Sequence, residues 1–106
     1  MKYRGGMNEL MRQASRMQRK VETRREELRQ ETMEASGGNG QITVVVNGAQ
    51  ELVSVEIQPD LLKSEELTMV QDLIVATANA ALNISREKVD AELNKITGGM
   101  KIPGLM

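Results

Sequence analysis

The chain contains no cysteine, histidine, phenylalanine or tryptophan, and its single aromatic residue is Tyr3. Without cysteine there are no disulfides, thiolate metal sites or thiol nucleophiles. Without histidine the commonest general base and the commonest metal ligand are both missing. No serine has a local partner that would activate it, so the sequence points away from enzymatic function, and it calls for no cofactor or metal. A core without Phe or Trp must be built from Val, Ile, Leu, Met and Ala. In 106 residues such a core buries only about 60–70% of the unfolded surface, which favours burial against a second copy of the chain. The N-terminal MKYRGGMNEL has no apolar run of a signal peptide, and no segment reads as long and apolar enough to span a membrane. A cytoplasmic protein of one domain, residues 1–106, is expected.

What the chain does have is a strongly basic first quarter. Residues 1–29 carry nine bases against four acids, net +5, and residues 30–106 carry five bases against eleven acids, net −6. The overall charge of −1 therefore says little about partners, because a polyanion responds to a local patch. Within that quarter Met7, Leu10, Ala14, Met17, Val21 and Leu28 recur at steps of three and four, which predicts a helix from about Met7 to Gln30 with an apolar seam interrupted only by Arg24. Such a seam asks for a partner helix. Arg12, Arg16, Lys20 and Arg24 follow at i, i+4, with Arg19 on the face away from the seam. Like charges at that spacing repel by about 0.2–0.5 kcal/mol per pair, and no carboxylate lies between Leu10 and Val21 to offset them. A polyanion would turn this repulsion into attraction. Lys2 and Arg4, on an arm expected to hinge at Gly5-Gly6, are lesser candidates for phosphate contact.

Downstream, residues 32–36 read weakly as a strand, residues 37–40 as a glycine-rich turn, and residues 41–46 and 52–57 as two clear strands, the second with Val53, Val55 and Ile57 on one face. Asn47-Gly48 marks a hairpin, with both residue types tolerant of positive φ. Pro59 ends the sheet. Ser64 with Glu65 and Glu66 reads as a helix N-cap followed by acids in the first turn, a better account of the paired glutamates than a metal or acid–base site. The following helix presents Leu67, Val70, Ile74, Ala81 and Ile84. The rise in polarity at residues 85–88 predicts a bend or break, and Gly98-Gly99 a C-cap. The tail of residues 98–106 is too apolar for a plain linker. The fold class is thus α+β: a long N-terminal helix, a three-stranded antiparallel meander, and a C-terminal helix or broken helix pair.

Four segments together resemble the YbaB/EbfC family of bacterial nucleoid-associated DNA-binding proteins: LMRQASRMQRKV at 10–21, VVVNGAQELVSVEIQPDLL at 44–62, DLIVATANAAL at 72–82 and GGMKIPG at 98–104. The resemblance implies a tweezer-like homodimer, location in the nucleoid of the bacterial cytoplasm, and influence on gene expression through DNA. It carries no base-reading residues onto this chain, so the expected DNA-binding set, Arg12, Arg16, Arg19, Lys20 and Arg24 with Lys2 and Arg4, rests on charge and helix geometry. The partner expected is double-stranded DNA. The alternative is a coiled-coil scaffold in which the first helix meets another protein, for example in recombination or repair; RNA is a lesser option, since few aromatics are present to stack bases.

Overall fold

The protein, described by a computed structural model over residues 2–98, is elongated, with principal extents of 77 × 18 × 18 Å. Met1, the side chains of residues 2–5 and the segment 99–106 lie outside the described residues, and with them the expected contacts of Lys2 and Arg4 and the path of the tail. The elements run α1 (Lys2–Gln30), β1 (Thr32–Gly37), β2 (Ile42–Asn47), β3 (Leu52–Ile57), α2 (Pro59–Ser64) and α3 (Leu67–Thr97). The strands form one antiparallel sheet in the order β1-β2-β3.

α3 organises the rest by serving two cores. Its first half lies over β1 and β2, where Met33, Ile42, Val44 and Val46 meet Val70 and Ala81, with Leu61 of α2 closing the end. Its second half pairs with α1, and Val21 and Leu28 bury themselves against Leu93 with Val89 and Ile96 around them. The heptad seam of α1 therefore has a helical partner within the chain. α3 does not cover β3, so Leu52, Val53 and Val55 stay exposed. The expected shared face of Val53, Val55 and Ile57 is also broken: the register shifts between Val45 and Val46, pairing Val46 with Leu52 and Val45 with Ser54, which leaves Val53 in a bulge.

Several local expectations change. The first helix starts at Lys2 instead of Met7 and runs through Gly5-Gly6; glycine weakens a helix by about 1 kcal/mol per residue but does not forbid helical angles. The expected turn after Pro59 is the short helix α2, with Pro59 at its first turn, where a missing N–H costs nothing. Ser64 closes that helix, and the N-cap of α3 is Glu66, without a side-chain cap bond. No break occurs at residues 85–88. By length and composition alone α3 is also apolar enough to cross a membrane, contrary to the sequence reading; its Val70, Ala81 and Leu93 are buried in the protein's own cores. Gly98 takes a left-handed φ of 64° and donates its N–H to Asn94 O, as a C-cap should.

The polarity at Ser85 has a tertiary cause. Its hydroxyl is fully buried, donates to Asn47 O at 2.9 Å and accepts from Gln50 Nε2 at 2.9 Å, pinning the β2–β3 connection to α3. In that connection Asn47 Oδ1 accepts the N–H groups of Ala49 and Glu51, and Gln50, not Asn47 or Gly48, holds the positive φ. Ser85→Ala removes one donor and one acceptor from a dry site, so a loss of about 1–2 kcal/mol is expected. The thermal midpoint should fall by roughly 4–15 °C, measured by circular dichroism; an unchanged midpoint would show that the pinning is dispensable.

Candidate nucleic-acid interface

The two long helices are antiparallel: as α3 advances from Lys88 through Glu92 to Ile96, its neighbours recede from Glu31, just past the end of α1, through Arg24 to Met17 of α1. α3 ends at Thr97, so the portion of α1 before Met17, about 23 Å at 1.5 Å per residue, extends beyond it. With a period of 3.6 residues, Arg12, Arg16 and Arg19 fall on one arc of this arm, nearly opposite the line of Val21 and Leu28 that packs on α3. Lys20 stands at the border of that arc. All four residues are exposed.

Their surroundings are less bare than the sequence suggests. Glu9, just outside the carboxylate-free stretch, approaches Arg12 and Arg16 at 3.8 Å each. Both contacts are long and solvent-exposed, and such pairs contribute about 0–1 kcal/mol. One carboxylate against four cations leaves the arm positive. Among the described residues Arg19 and Lys20 have no ion-pair partner. Arg16 and Arg19 line both of two shallow clefts on the helix, one continuing past Lys20 towards Ile96 of α3, the other past Arg12 towards Asn8. The arrangement presents exposed cations in a row with open approach, suited to several spaced anions.

Arg24 stands apart from the row. It occupies a seam position, and its guanidinium donates to Glu27 at 3.2 Å, to Glu31 at 2.8 Å and to Glu92 of α3. Lys88 and Lys95 add contacts to Glu31 at 3.5 Å and Glu92 at 2.5 Å. A cation on an apolar seam has to find carboxylates where the two helices meet, and this cluster locks α1 to α3 beside Val21 and Leu93. The carboxylates in turn keep the guanidinium firmly charged. Of the expected phosphate-binding set, Arg24 is thus the member whose charge the fold already uses. Glu9, Glu92 and Ser85 escaped sequence reasoning; the seam cation itself was the signal for Glu92.

Glu92 is held down to about 2 by the Lys95 ammonium first and the Arg24 guanidinium second. A carboxylate depressed in the folded state stabilises it above the unfolded value, near 4.5, and that contribution is lost as pH falls through the folded one. Glu92→Gln should therefore lower the thermal midpoint at pH 7, with the difference from the native chain closing between pH 4.5 and about 2. A gap that persists unchanged at pH 2 would assign the effect to packing instead of charge.

Comparisons with known proteins bear on what such a surface serves. The profile of the YbaB/EbfC DNA-binding family matches residues 3–100. A nucleoid-associated protein of Thermoanaerobacter pseudethanolicus is 42% identical over 99 residues, covering 93% of this chain and 89% of the relative. One from Acetivibrio thermocellus is 44% identical over 104 residues, 97% and 92% of the two chains, and one from Myxococcus xanthus 43% identical over 99 residues, 93% and 94%. Among solved structures, an uncharacterized Helicobacter pylori protein shares the fold at a TM-score of 0.61 and 20% identity, over 74% of this chain and 90% of that one.

Proposed function

The chain belongs to the YbaB/EbfC DNA-binding family, and from that premise we propose that it is a non-enzymatic protein of the bacterial nucleoid that binds duplex DNA through phosphates. The observation that carries this reading is the row of exposed cations on α1: Arg12 and Arg16 stand on the half that extends beyond α3, and Arg19 and Lys20 follow beside the end of α3. Arg24 contributes by fixing the arm on α3, and Lys2 and Arg4, whose side chains lie outside the described residues, are lesser candidates by charge alone. Long basic side chains on phosphates set affinity and register but read no bases, so specificity is weak except where DNA shape enters. The net charge of −6 on residues 30–106 turns DNA away from the body and leaves the arm as its landing place.

The proposed unit is a homodimer. Support comes from β3, an edge strand with Leu52, Val53 and Val55 exposed beside it, the kind of edge that soluble proteins cover or pair. Two copies would carry two arms, doubling the phosphate contacts and giving the spacing through which shape could be sensed. Binding of this kind would influence gene expression by occupying promoter DNA without a catalytic step.

A salt titration with a random-sequence duplex tests the reading, with an equal-length single-stranded RNA alongside. Each phosphate contact contributes about −0.9 to the log–log slope on duplex DNA, so four cations in each of two subunits give a slope of about −7. Duplex preference with a slope of at least about half that size is expected. No duplex binding at low salt would refute the reading and turn attention to a protein partner for α1.

A further inference from the structure

Beside the cations of the arm stand three uncharged side chains that phosphate binding does not use. Asn8, Met11 and Ser15 follow at steps of three and four, which sets them in one line along α1. All three are exposed, and they line one shallow cleft together with Arg12, Arg16 and Arg19. At about 100° per residue, Ser15 and Met11 fall within about 60° of Asn8 on one side, and Arg19, Arg12 and Arg16 within about 80° on the other. The packed line of Val21 and Leu28 lies on the far side of the helix. Among the described residues the Asn8 carboxamide and the Ser15 hydroxyl have no hydrogen-bond partner.

We propose that this line enters the major groove of duplex DNA and reads base edges. Asn8 pairs with an adenine, Met11 packs on the methyl group of a neighbouring thymine, and Ser15 meets a third base pair. This readout rests on duplex binding by the arm, as proposed above, and adds a sequence preference that the cations do not supply.

Shape permits the docking. The major groove, about 12 Å wide, admits one helix of about 10–12 Å in diameter, but not two packed side by side at about 8–10 Å between axes. Ile96 of α3 still reaches Met17, and α3 ends one residue later at Thr97. Asn8 to Ser15 therefore lie where α1 runs as a single helix. Spacing matches as well: seven residues rise about 10.5 Å, and three base-pair steps cover about 10 Å. The chemistry is complementary at each point. A carboxamide carries a donor and an acceptor side by side, as the N6 and N7 edge of adenine requires. A thioether gives the thymine methyl a polarizable apolar contact, and a hydroxyl can donate or accept. Charge fixes the orientation. With the line on the groove floor, Arg12 and Arg16 point to one wall, where phosphates run. Glu9, about 100° round from Asn8 and beyond Arg16, stays off the floor.

Selection of duplexes from a random library with the full-length protein supplies the probe. An enriched site should bind at least about tenfold tighter than random duplex, and Asn8→Ala should cut that ratio at least about fivefold. Arg12→Gln should weaken both duplexes alike and leave the ratio in place. Replacing adenine by 7-deazaadenine in the enriched site removes the N7 acceptor and keeps every phosphate and base pair. The native protein should then lose affinity at least about threefold and Asn8→Ala should be indifferent. Uracil in place of thymine removes the methyl group and tests Met11 in the same way, with Met11→Ala as the indifferent variant. Duplex binding with the expected salt slope but no enriched site, or an enriched site whose preference Asn8→Ala retains, would overturn the base readout and leave the phosphate contacts standing. Absence of duplex binding would overturn both.

Discussion

Replacing Arg12, Arg16 and Arg19 together by glutamine is expected to weaken duplex binding by about 10²–10³-fold for each arm engaged near 0.1 M salt, and to flatten the log–log salt slope by about 2.7 per arm, about 5.4 for two. The number follows from counterion release: each phosphate neutralised returns roughly 0.9 of a condensed cation to solution, and at 0.1 M that is worth nearly one decade. In a homodimer the loss applies to both arms. The fold should not suffer. All three side chains are exposed, their only ion pairs among the described residues are the two 3.8 Å contacts to Glu9, and removing like charges at i, i+4 relieves about 0.2–0.5 kcal/mol per pair. Circular dichroism at unchanged or higher midpoint would confirm that affinity, not folding, is what changed. Arg24→Gln provides the contrast. Its guanidinium holds Glu27, Glu31 and Glu92, so its loss should depress the midpoint while leaving the slope almost intact. If the triple variant keeps the native slope, phosphates are not held by this row.

Why Arg12 and Arg24 look alike in the sequence, and differ in the structure, marks the limit of reading by periodicity. A four-residue step puts charges along one face but does not say where the covering helix ends. The seam of Val21 and Leu28, the β-branched run of residues 42–46 and the glycines of residues 37–40 are visible because local geometry alone demands them; Gly38, Asn39 and Gly40 do take φ of 59°, 56° and 86°. What was misread depended on distant partners. Ser85 looked like a helix break because its polarity answers the Asn47 carbonyl, thirty-eight residues away in sequence. Ser64 looked like a cap because nothing in its neighbourhood reveals that Leu61 is buried and turns residues 59–64 into a helix of their own. Val53, Val55 and Ile57 read as one face because alternation reports neither the bulge at Val53 nor that α3 leaves β3 uncovered. The row of Arg12, Arg16 and Arg19 could be found by charge; the commitment of Arg24 required the opposite helix.

Gly48 is the position where the hairpin signal is present for a reason other than the one its sequence suggests, and Gly48→Ala should be the most damaging glycine-to-alanine change among the described residues. The positive φ of this connection belongs to Gln50, so conformational freedom is not what Gly48 supplies. Instead its backbone lies against the last turn of α1. A Cβ there would stand 2.0 Å from Leu28 O and 2.6 Å from Leu28 C, atoms of a main chain that cannot swing aside. Moving the hairpin away breaks the bond from Gly48 N–H to Glu31 O at 3.2 Å and strains the pinning of Asn47 and Gln50 on Ser85. Moving α1 away opens the core of Val21, Leu28 and Leu93. Either route costs about 3 kcal/mol, at the upper end for a point substitution, which for a domain of this size lowers the thermal midpoint by roughly 12–24 °C. Gly40→Ala is the informative control. Its φ of 86° strains any side chain, but nothing lies within 4 Å of the added methyl, so a left-handed penalty of about 1–2 kcal/mol is all that is expected. Scanning calorimetry of both variants decides the matter: a Gly48→Ala midpoint no lower than that of Gly40→Ala would mean that the hairpin and α1 meet more loosely than this geometry requires, and that the arm is held to the body by the α1–α3 seam alone.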